Sequence, residues 1–281
     1  MSLPGALPLP LCGAAGGRET GPVTSAWSDL DRPPLPTKRL VRALAEDGFD
    51  LRVVDTTEST NADVAAAARD GAAEGLVVAA EFQHGGRGRL SRTWVSPARA
   101  GLTFSVLLRP PQLSGWVPLL AGVALVRALR ERGGVEATVK WPNDVLVEDR
   151  KLAGILCEHV APDAVVVGVG LNVTTHAEEL PGPPATSLLI ERGVTDRAVL
   201  LPAILRSLAG AYAGWRADPQ ALPPAYRSVS STFGRPVRLS LPDGSTVEGV
   251  ADGLDDDGRI VVNGMAYGAG DVVHLRAASD E

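Results

Sequence analysis

The chain has 281 residues, 45% of them apolar, which suits one large domain plus a small one on a prior of roughly 100–200 residues per domain. Its net charge of −6 gives the molecule as a whole no reason to coat nucleic acid or an anionic membrane. Two distant cysteines, Cys12 and Cys157, and four scattered histidines (His84, His159, His176, His274) exclude a disulfide framework and a zinc site and fit a reducing cytoplasm. No run of about 18 uninterrupted apolar residues predicts a membrane span.

Residues 1–35 are rich in Pro, Gly, Ala and Leu. The run Leu7 to Cys12 is broken by Pro8 and Pro10 and lacks an early positive charge, so it does not read as a signal peptide. The segment reads as a disordered tail. From Thr37 the pattern becomes regular: Leu40, Val41, Leu44 and Phe49 predict a short helix and turn, and Leu51 to Asp55 a strand. Ser59-Thr60-Asn61 supplies N-cap candidates for a helix through Val64 to Ala68. Leu76 to Ala80 and Leu102 to Leu108 read as strands flanking a loop over 83–99, and Trp116 to Leu129 as a core helix. Strands follow at Ala137 to Trp141, Val145 to Val147, Lys151 to Cys157 and Ala164 to Val173, then a helix from Arg197 to Trp215. The order lacks a strict βα repeat, which predicts an α+β domain with a mixed central sheet over residues 36–230. Residues 231–281 change character: short runs at Val237 to Leu241, Thr246 to Val250, Ile260 to Val262 and Val272 to Leu275, joined by Asp-Gly turns, predict a small SH3-like barrel.

The loop holds the densest chemistry. Gln83-His84-Gly85-Gly86-Arg87-Gly88-Arg89-Leu90-Ser91-Arg92-Thr93-Trp94 belongs to a stretch with four arginines and no acid between Gln83 and Arg99. Glycines let backbone N–H groups approach a ligand, and arginine suits carboxylate and phosphate. Trp94 can stack on a flat ring. A solvated arginine loop over a buried Trp94 accounts for the same composition. The loop is neither a Walker A sequence nor a dinucleotide fingerprint, because no Lys-Ser/Thr follows and no helix opens after it. In Lys140-Trp141-Pro142-Asn143-Asp144 the tip presents two oxygen-bearing side chains, suited to a magnesium-bound phosphate or to orienting a lysine, and equally to an ordinary turn. Lys151 opens an apolar strand, either as an edge charge or as an ammonium aimed into a site. Gly154, with Gly168 and Gly170, marks a bulge or a flat floor. Cys157, Trp116 and Trp215 read as core residues, and the turn Asp255 to Asp257 lacks calcium-loop spacing.

Taken together these segments resemble the biotin–protein ligase family. They comprise Gly86-Arg87-Gly88-Arg89 with Arg92-Thr93-Trp94, then Lys140 to Asp144, then Lys151 with Gly154-Ile155-Leu156, then Gly168-Val169-Gly170-Leu171-Asn172, preceded by Ser59-Thr60-Asn61. The resemblance spans about residues 50–276, and the ordered set is far more specific than any one segment. Ser91 stands where many members have glycine, and the first 50 residues are too short and too rich in Pro and Gly for the DNA-binding winged helix of bifunctional members.

The resemblance implies a class II synthetase-like mixed sheet with an SH3-like C-terminal domain. It implies the substrates ATP and biotin, Mg²⁺, and a biotin carboxyl carrier protein domain of acyl-CoA or pyruvate carboxylases as partner. It implies no DNA and no membrane, and leaves a homodimer open. By residue, it places Lys151, Arg89 and Arg87 in catalysis. Biotin falls to Ser59, Thr60, Asn61, Gln83, Gly85, Gly86, Arg87, Lys151 and Gly154. The nucleotide falls to Arg89, Arg92, Trp94, Lys140, Asn143, Asp144, Lys151, Gly170 and Asn172, with Asn143 and Asp144 reaching phosphate-bound Mg²⁺. Arg276 matches a basic residue of the family without a firm role. The competing expectations are a lipoate ligase or octanoyltransferase on the same fold and a non-catalytic biotin or nucleotide sensor. ATP–pyrophosphate exchange that requires biotin separates the three.

Overall fold

A computed structural model describes residues 31–89, 92–111, 114–182 and 184–275 of the chain. The expectations for residues 1–30, Ser91 and Arg276 fall outside them.

The elements run α1 (Thr37–Ala45), β1 (Asp50–Thr57), α2 (Thr60–Arg69), β2 (Leu76–Gln83), β3 (Gly101–Leu108), α3 (Trp116–Ala128), β4 (Ala137–Lys140), β5 (Asp144–Val147), β6 (Arg150–Ala161) and β7 (Ala164–Asn172). Then follow α4 (Arg197–Ala217), α5 (Leu222–Val229), β8 (Pro236–Ser240), β9 (Thr246–Leu254), β10 (Ile260–Val262), β11 (Met265–Tyr267) and β12 (Asp271–His274). A seven-stranded mixed sheet has the order β1-β2-β3-β7-β6-β5-β4. Only β1 and β2 pair in parallel, with α2 as their crossover, and every other pairing is antiparallel. A separate five-stranded antiparallel sheet has the order β11-β10-β9-β8-β12. The α+β expectation therefore holds.

Strand parity divides the large sheet into two faces. Val77, Ala79, Leu102, Phe104, Val106, Val165, Val167, Val169 and Leu171 point into the main core with α1, α3, α4 and α5. Leu76, Val78, Leu107, Ala164 and Val166 point the other way, where α2 covers them through Val64 and Ala68. Burial on both sides explains why β2, β3 and β7 read as unbroken apolar runs rather than as alternating ones. Helix α2 is short, so it covers only part of its face. The uncovered remainder carries Thr103, Gly154, Gly168 and Gly170, which share the parity of the α2 side.

Sequence and structure differ at three places, and a fourth, α4, needs its burial to be read correctly. Residues 31–35, expected to be tail, are packed: Arg32 and Leu35 are buried, Arg32 pairs with Glu179, and Leu35 N donates to Glu81 Oε1 at 2.5 Å. Helix α5 escaped notice because Pro223 and Pro224 read as breakers, yet both lie in its first turn, where a missing N–H costs nothing. Strand β11 is only three residues long and carries no alternating pattern. Finally, α4 is long and apolar enough by length and composition to cross a membrane. Its Leu200, Leu201, Ile204, Leu205 and Leu208 are instead buried in the main core, and Arg206 on the same helix pairs with Asp47.

Candidate functional site

The uncovered half of the α2 face forms a cavity of about 110 Å³. Its end wall is the N-terminus of α2, with Ser59, Thr60 and Asn61, and Gln83 stands beside it at the end of β2. Its floor is Gly154, Gly168 and Gly170, its roof the arginine loop with Arg87, Arg89, Arg92 and Trp94, and its far side Lys151, Asn143 and Asp144. Asp271 of β12 also lines it, in contact with Arg92, so the small domain reaches the site.

Asp144 is the electrostatic hub. Lys151 Nζ lies 2.6 Å from its Oδ1 and Lys140 Nζ 3.2 Å from its Oδ2. Burial opposes ionisation of Asp144, but the two ammonium groups more than offset it and hold the carboxyl below the usual range. Arg89 is lowered too, but for a different reason: burial depresses its guanidinium, Asp144 only partly compensates, and Arg92 adds repulsion. Backbone pairing aims Lys151. Its N–H donates to Pro184 O at 2.8 Å and its carbonyl accepts from Thr186 N at 2.9 Å. A register shift between Val145 and Leu146 puts a bulge at Leu152, so the irregularity expected at Gly154 falls two residues earlier.

The biotin-side residues converge on the end wall. Ser59 caps α2 by accepting from Ala62 N, which leaves its hydroxyl proton for the cavity. Gln83 Oε1 accepts from Thr60 N at 2.9 Å, so its amide nitrogen is the end left to donate. Asn61 is already engaged: its Nδ2 donates to Leu156 O at 3.2 Å and to Glu158 Oε2 at 2.5 Å, and its Oδ1 accepts from Ser105. It lines the cavity with both amide protons spent, so any contact it makes with a ligand must use the second lone pair of Oδ1.

Other assignments also change. Gly85 and Gly86 do not line the cavity. Gly85 N donates to Glu58 O, and a Cβ on Gly86 would collide with the Trp94 carbonyl, so both glycines serve the loop's own folding. Gly88 N is likewise spent on Arg92 O at 2.6 Å, and Arg87 bridges to Thr93, so the two arms of the loop pair with each other. Arg87 is exposed and 3.8 Å from Glu58. A Cβ on Gly170 would collide with the Trp94 indole, whose ring also contacts Lys151 at 5.9 Å, so the glycine floor carries this tryptophan. Asn172 lies away from the cavity and donates to Thr186 O at 2.9 Å, anchoring the segment that aims Lys151. Lys140 acts on the site through Asp144 alone.

The expected metal role does not fit. Both Asp144 oxygens face lysines, Asn143 Nδ2 donates to Ile155 O at 2.8 Å, and no cluster of metal-binding side chains occurs among the described residues.

Trp141, Ser105 and Asp271 were missed by sequence reasoning. Buried Trp141 donates from Nε1 to Gly258 O at 3.3 Å and from its backbone N–H to Thr232 Oγ1 at 3.1 Å, fastening the small domain to the large one. Trp116 does the same through Asp256 O at 2.8 Å, so the acidic turn is a docking contact. Cys157 is partly buried in the main core, its thiol pushed up to about 12 by burial and by Glu158, as befits an inert packing residue.

Comparison with known proteins agrees with this arrangement. Residues 53–172 match the biotin/lipoate A/B protein ligase family, and residues 232–275 match the biotin protein ligase C terminal domain. The chain is 44% identical over 266 residues to a biotin–[acetyl-CoA-carboxylase] ligase of Mycobacterium tuberculosis, covering 88% of this chain and 98% of that one. It is 32% identical over 228 residues to the bifunctional ligase/repressor BirA of Escherichia coli, covering 77% of this chain and 70% of the relative. Among solved structures it resembles the biotin protein ligase of Aquifex aeolicus in complex with biotin and ATP, with a TM-score of 0.70 and 26% identity over 80% of this chain and 99% of that one. A cationic cleft over a glycine floor, closed by a C-terminal sheet of the matching kind, and relatives of nearly full length show that this chain belongs to the biotin protein ligase family.

Proposed function

We propose that this cavity joins biotin to ATP and then passes the biotinyl group to a lysine of a biotin carboxyl carrier protein domain. The names of the relatives point to acetyl-CoA carboxylase as the owner of that domain. The observation that carries the reading is Lys151 Nζ, held at 2.6 Å from Asp144 inside a cavity roofed by Arg87, Arg89 and Arg92.

In the first step a carboxylate oxygen of biotin attacks the α-phosphorus of ATP. The new P–O bond forms, the bond to the β-phosphate bridge breaks, and its electron pair leaves on pyrophosphate. The barrier is the approach of two anions, and fixed cations in a partly dry site lower it. Lys151 stands where carboxylate and α-phosphate meet. Arg89 and Arg92 face the phosphates, and Lys140 supplies charge through the shared carboxylate of Asp144. In the second step the neutral amine of the carrier lysine attacks the acyl carbon, the C–N bond forms, AMP leaves with the C–O electron pair, and the surplus amine proton passes to solvent.

At the end wall, the Ser59 hydroxyl and Gln83 Nε2 donate to the ureido carbonyl, and Thr60 accepts a ring N–H. Mg²⁺ would arrive held by the triphosphate oxygens rather than by Asn143 or Asp144. The reading places the enzyme in the cytoplasm with its carboxylase, acting without DNA, and a homodimer is compatible with it. The match to a biotin-type C-terminal domain favours biotin over lipoate. ATP–pyrophosphate exchange tests the proposal. Exchange that requires biotin and ignores lipoate supports it, whereas exchange with lipoate, or none with either acid, overturns it.

A further inference from the structure

Behind the end wall lies a side chain that no part of the reaction uses. Ser105, on β3, is 0% exposed. Its Oγ lies 2.7 Å from Thr60 Oγ1 and 2.5 Å from Asn61 Oδ1. Ser105 has one hydroxyl proton and touches two oxygens, so only one of the two contacts can use it.

Asn61 decides which. Its Nδ2 faces two acceptors, Leu156 O and Glu158 Oε2, so its amide can stand in only one orientation. Asn61 Oδ1 has no proton to give and must receive one from Ser105. The Ser105 oxygen is then an acceptor, and Thr60 must donate to it. The Thr60 hydroxyl also lies 3.2 Å from Gln83 Oε1, a longer contact than the 2.7 Å to Ser105. A directed chain results, Thr60 to Ser105 to Asn61, with Asn61 donating onward to Glu158.

The sheet holds the chain in place. Ser105 is directly opposite Gly168 in the β3–β7 register, and a Cβ on Gly168 would collide with the Asn61 amide. Gly168 is therefore also the seat of Asn61.

We propose that Ser105 is a positioning residue for biotin. It draws the Thr60 proton away from the cavity and so presents the Thr60 oxygen as a fixed acceptor for a ring N–H of the ureido group. Ser59, whose oxygen caps α2, offers a proton beside it. Donor and acceptor stand side by side, the complement of a cyclic urea. Without Ser105 the Thr60 proton is held only by the longer contact to Gln83 Oε1 at 3.2 Å, and it gains the freedom to turn into the cavity and oppose the ring N–H.

The inference rests on the biotin reading of the site, and the experiment separates the two. Biotin binding is measured by calorimetry, and pyrophosphate exchange by kinetics, on the full chain and on Ser105→Ala, Thr60→Val and the double variant, each checked for folding by thermal melting. Ser105→Ala should weaken biotin binding about tenfold, with kcat at saturating biotin and the KM for ATP within about twofold of wild type. The double variant should bind no more weakly than Thr60→Val alone, since Ser105 acts only through Thr60. Additive losses, unchanged binding in Ser105→Ala, or a parallel rise in the KM for ATP would overturn the proposal. Should Ser105→Ala not fold, Ser105→Cys keeps the packing with a weak thiol, and wild-type biotin affinity in that variant overturns it equally. Failure of the wild-type chain to bind biotin would instead sink the reading of the site itself.

Discussion

Lys140 and Lys151 lean on one carboxylate, so neither can be removed without changing the other's surroundings. Lys151→Met keeps the length of the side chain and deletes the ammonium nearest the proposed reacting oxygens. Loss of a preorganised donor of that kind costs about 10²–10³-fold in rate. Biotin-dependent exchange should fall by that factor while the melting temperature moves little, because Lys151 is a half-exposed member of its pair. A loss under threefold would remove it from the chemistry. Gly168 makes the opposite kind of prediction. Adding one methyl displaces Asn61, whose hydrogen bonds are all satisfied, so Gly168→Ala should destabilise by about 1–3 kcal/mol, read by urea unfolding. Wild-type stability would show that Asn61 can yield without cost. Lys151 was legible as a candidate because a lone charge opens an apolar strand, Ser59 and Thr60 from their helix-cap position and the family resemblance, and Gln83 and Arg89 because polar or charged groups stand in a glycine-rich stretch. Asn172 and Gly168 share that signature but serve the chain itself, and only partners distant in sequence reveal it.

Helix α4 is tied to the sheet through a buried pair, Arg197 Nη1 to Glu81 Oε2 at 2.7 Å, each side chain 5% exposed. Glu81 also accepts from Leu35 N, and Arg197 donates to Pro33 O at 2.7 Å, so one ion pair gathers α4, β2 and residues 33–35. Arg197→Met would leave the Glu81 charge buried without its partner, a loss of about 3–5 kcal/mol by chemical denaturation. A cost under 1 kcal/mol would mean that water reaches Glu81. This contact explains why composition misplaced residues 31–35. Proline-rich sequence has low intrinsic order, but a buried arginine that donates to the Pro33 carbonyl orders it from outside.

Joining the two domains depends on Trp141, at the centre of the segment that also carries Lys140 and Asp144. Trp141→Phe keeps most of the apolar contact and strands the Gly258 carbonyl, an expected loss of about 1–3 kcal/mol. Limited proteolysis should then cut faster near residues 230–235, and an unchanged rate would argue that the apolar contact suffices. At the same junction Asp149, on the β5–β6 turn, lies 3.2 Å from Arg235 and 3.5 Å from His274. Burial depresses the His274 pKa, Arg235 and Lys140 push the same way, and Asp149 opposes them. The fold therefore favours the neutral imidazole. Its contribution is complete above the ordinary histidine pKa and is lost as pH falls through the lower folded value. The wild-type melting temperature should drop between about pH 7.5 and about pH 5.5, and His274→Gln should narrow that drop. An equal drop in both proteins would place the acid sensitivity elsewhere.

The sequence by itself determined the α+β architecture, most strand positions, the change of character near residue 231 and the family to which the chain belongs. Those properties are written locally, in apolar periodicity, in turn residues and in short ordered segments of unusual composition. Tertiary structure alone decided which polar groups remain free to meet a ligand. Asn61, Gly85, Gly168 and Asn172 carry the same local signal as Thr60 and Gly154, but partners 14 to 107 positions away consume them. A hydrogen-bonding group has few bonds to give, and whether one is left over depends on what folding brings beside it.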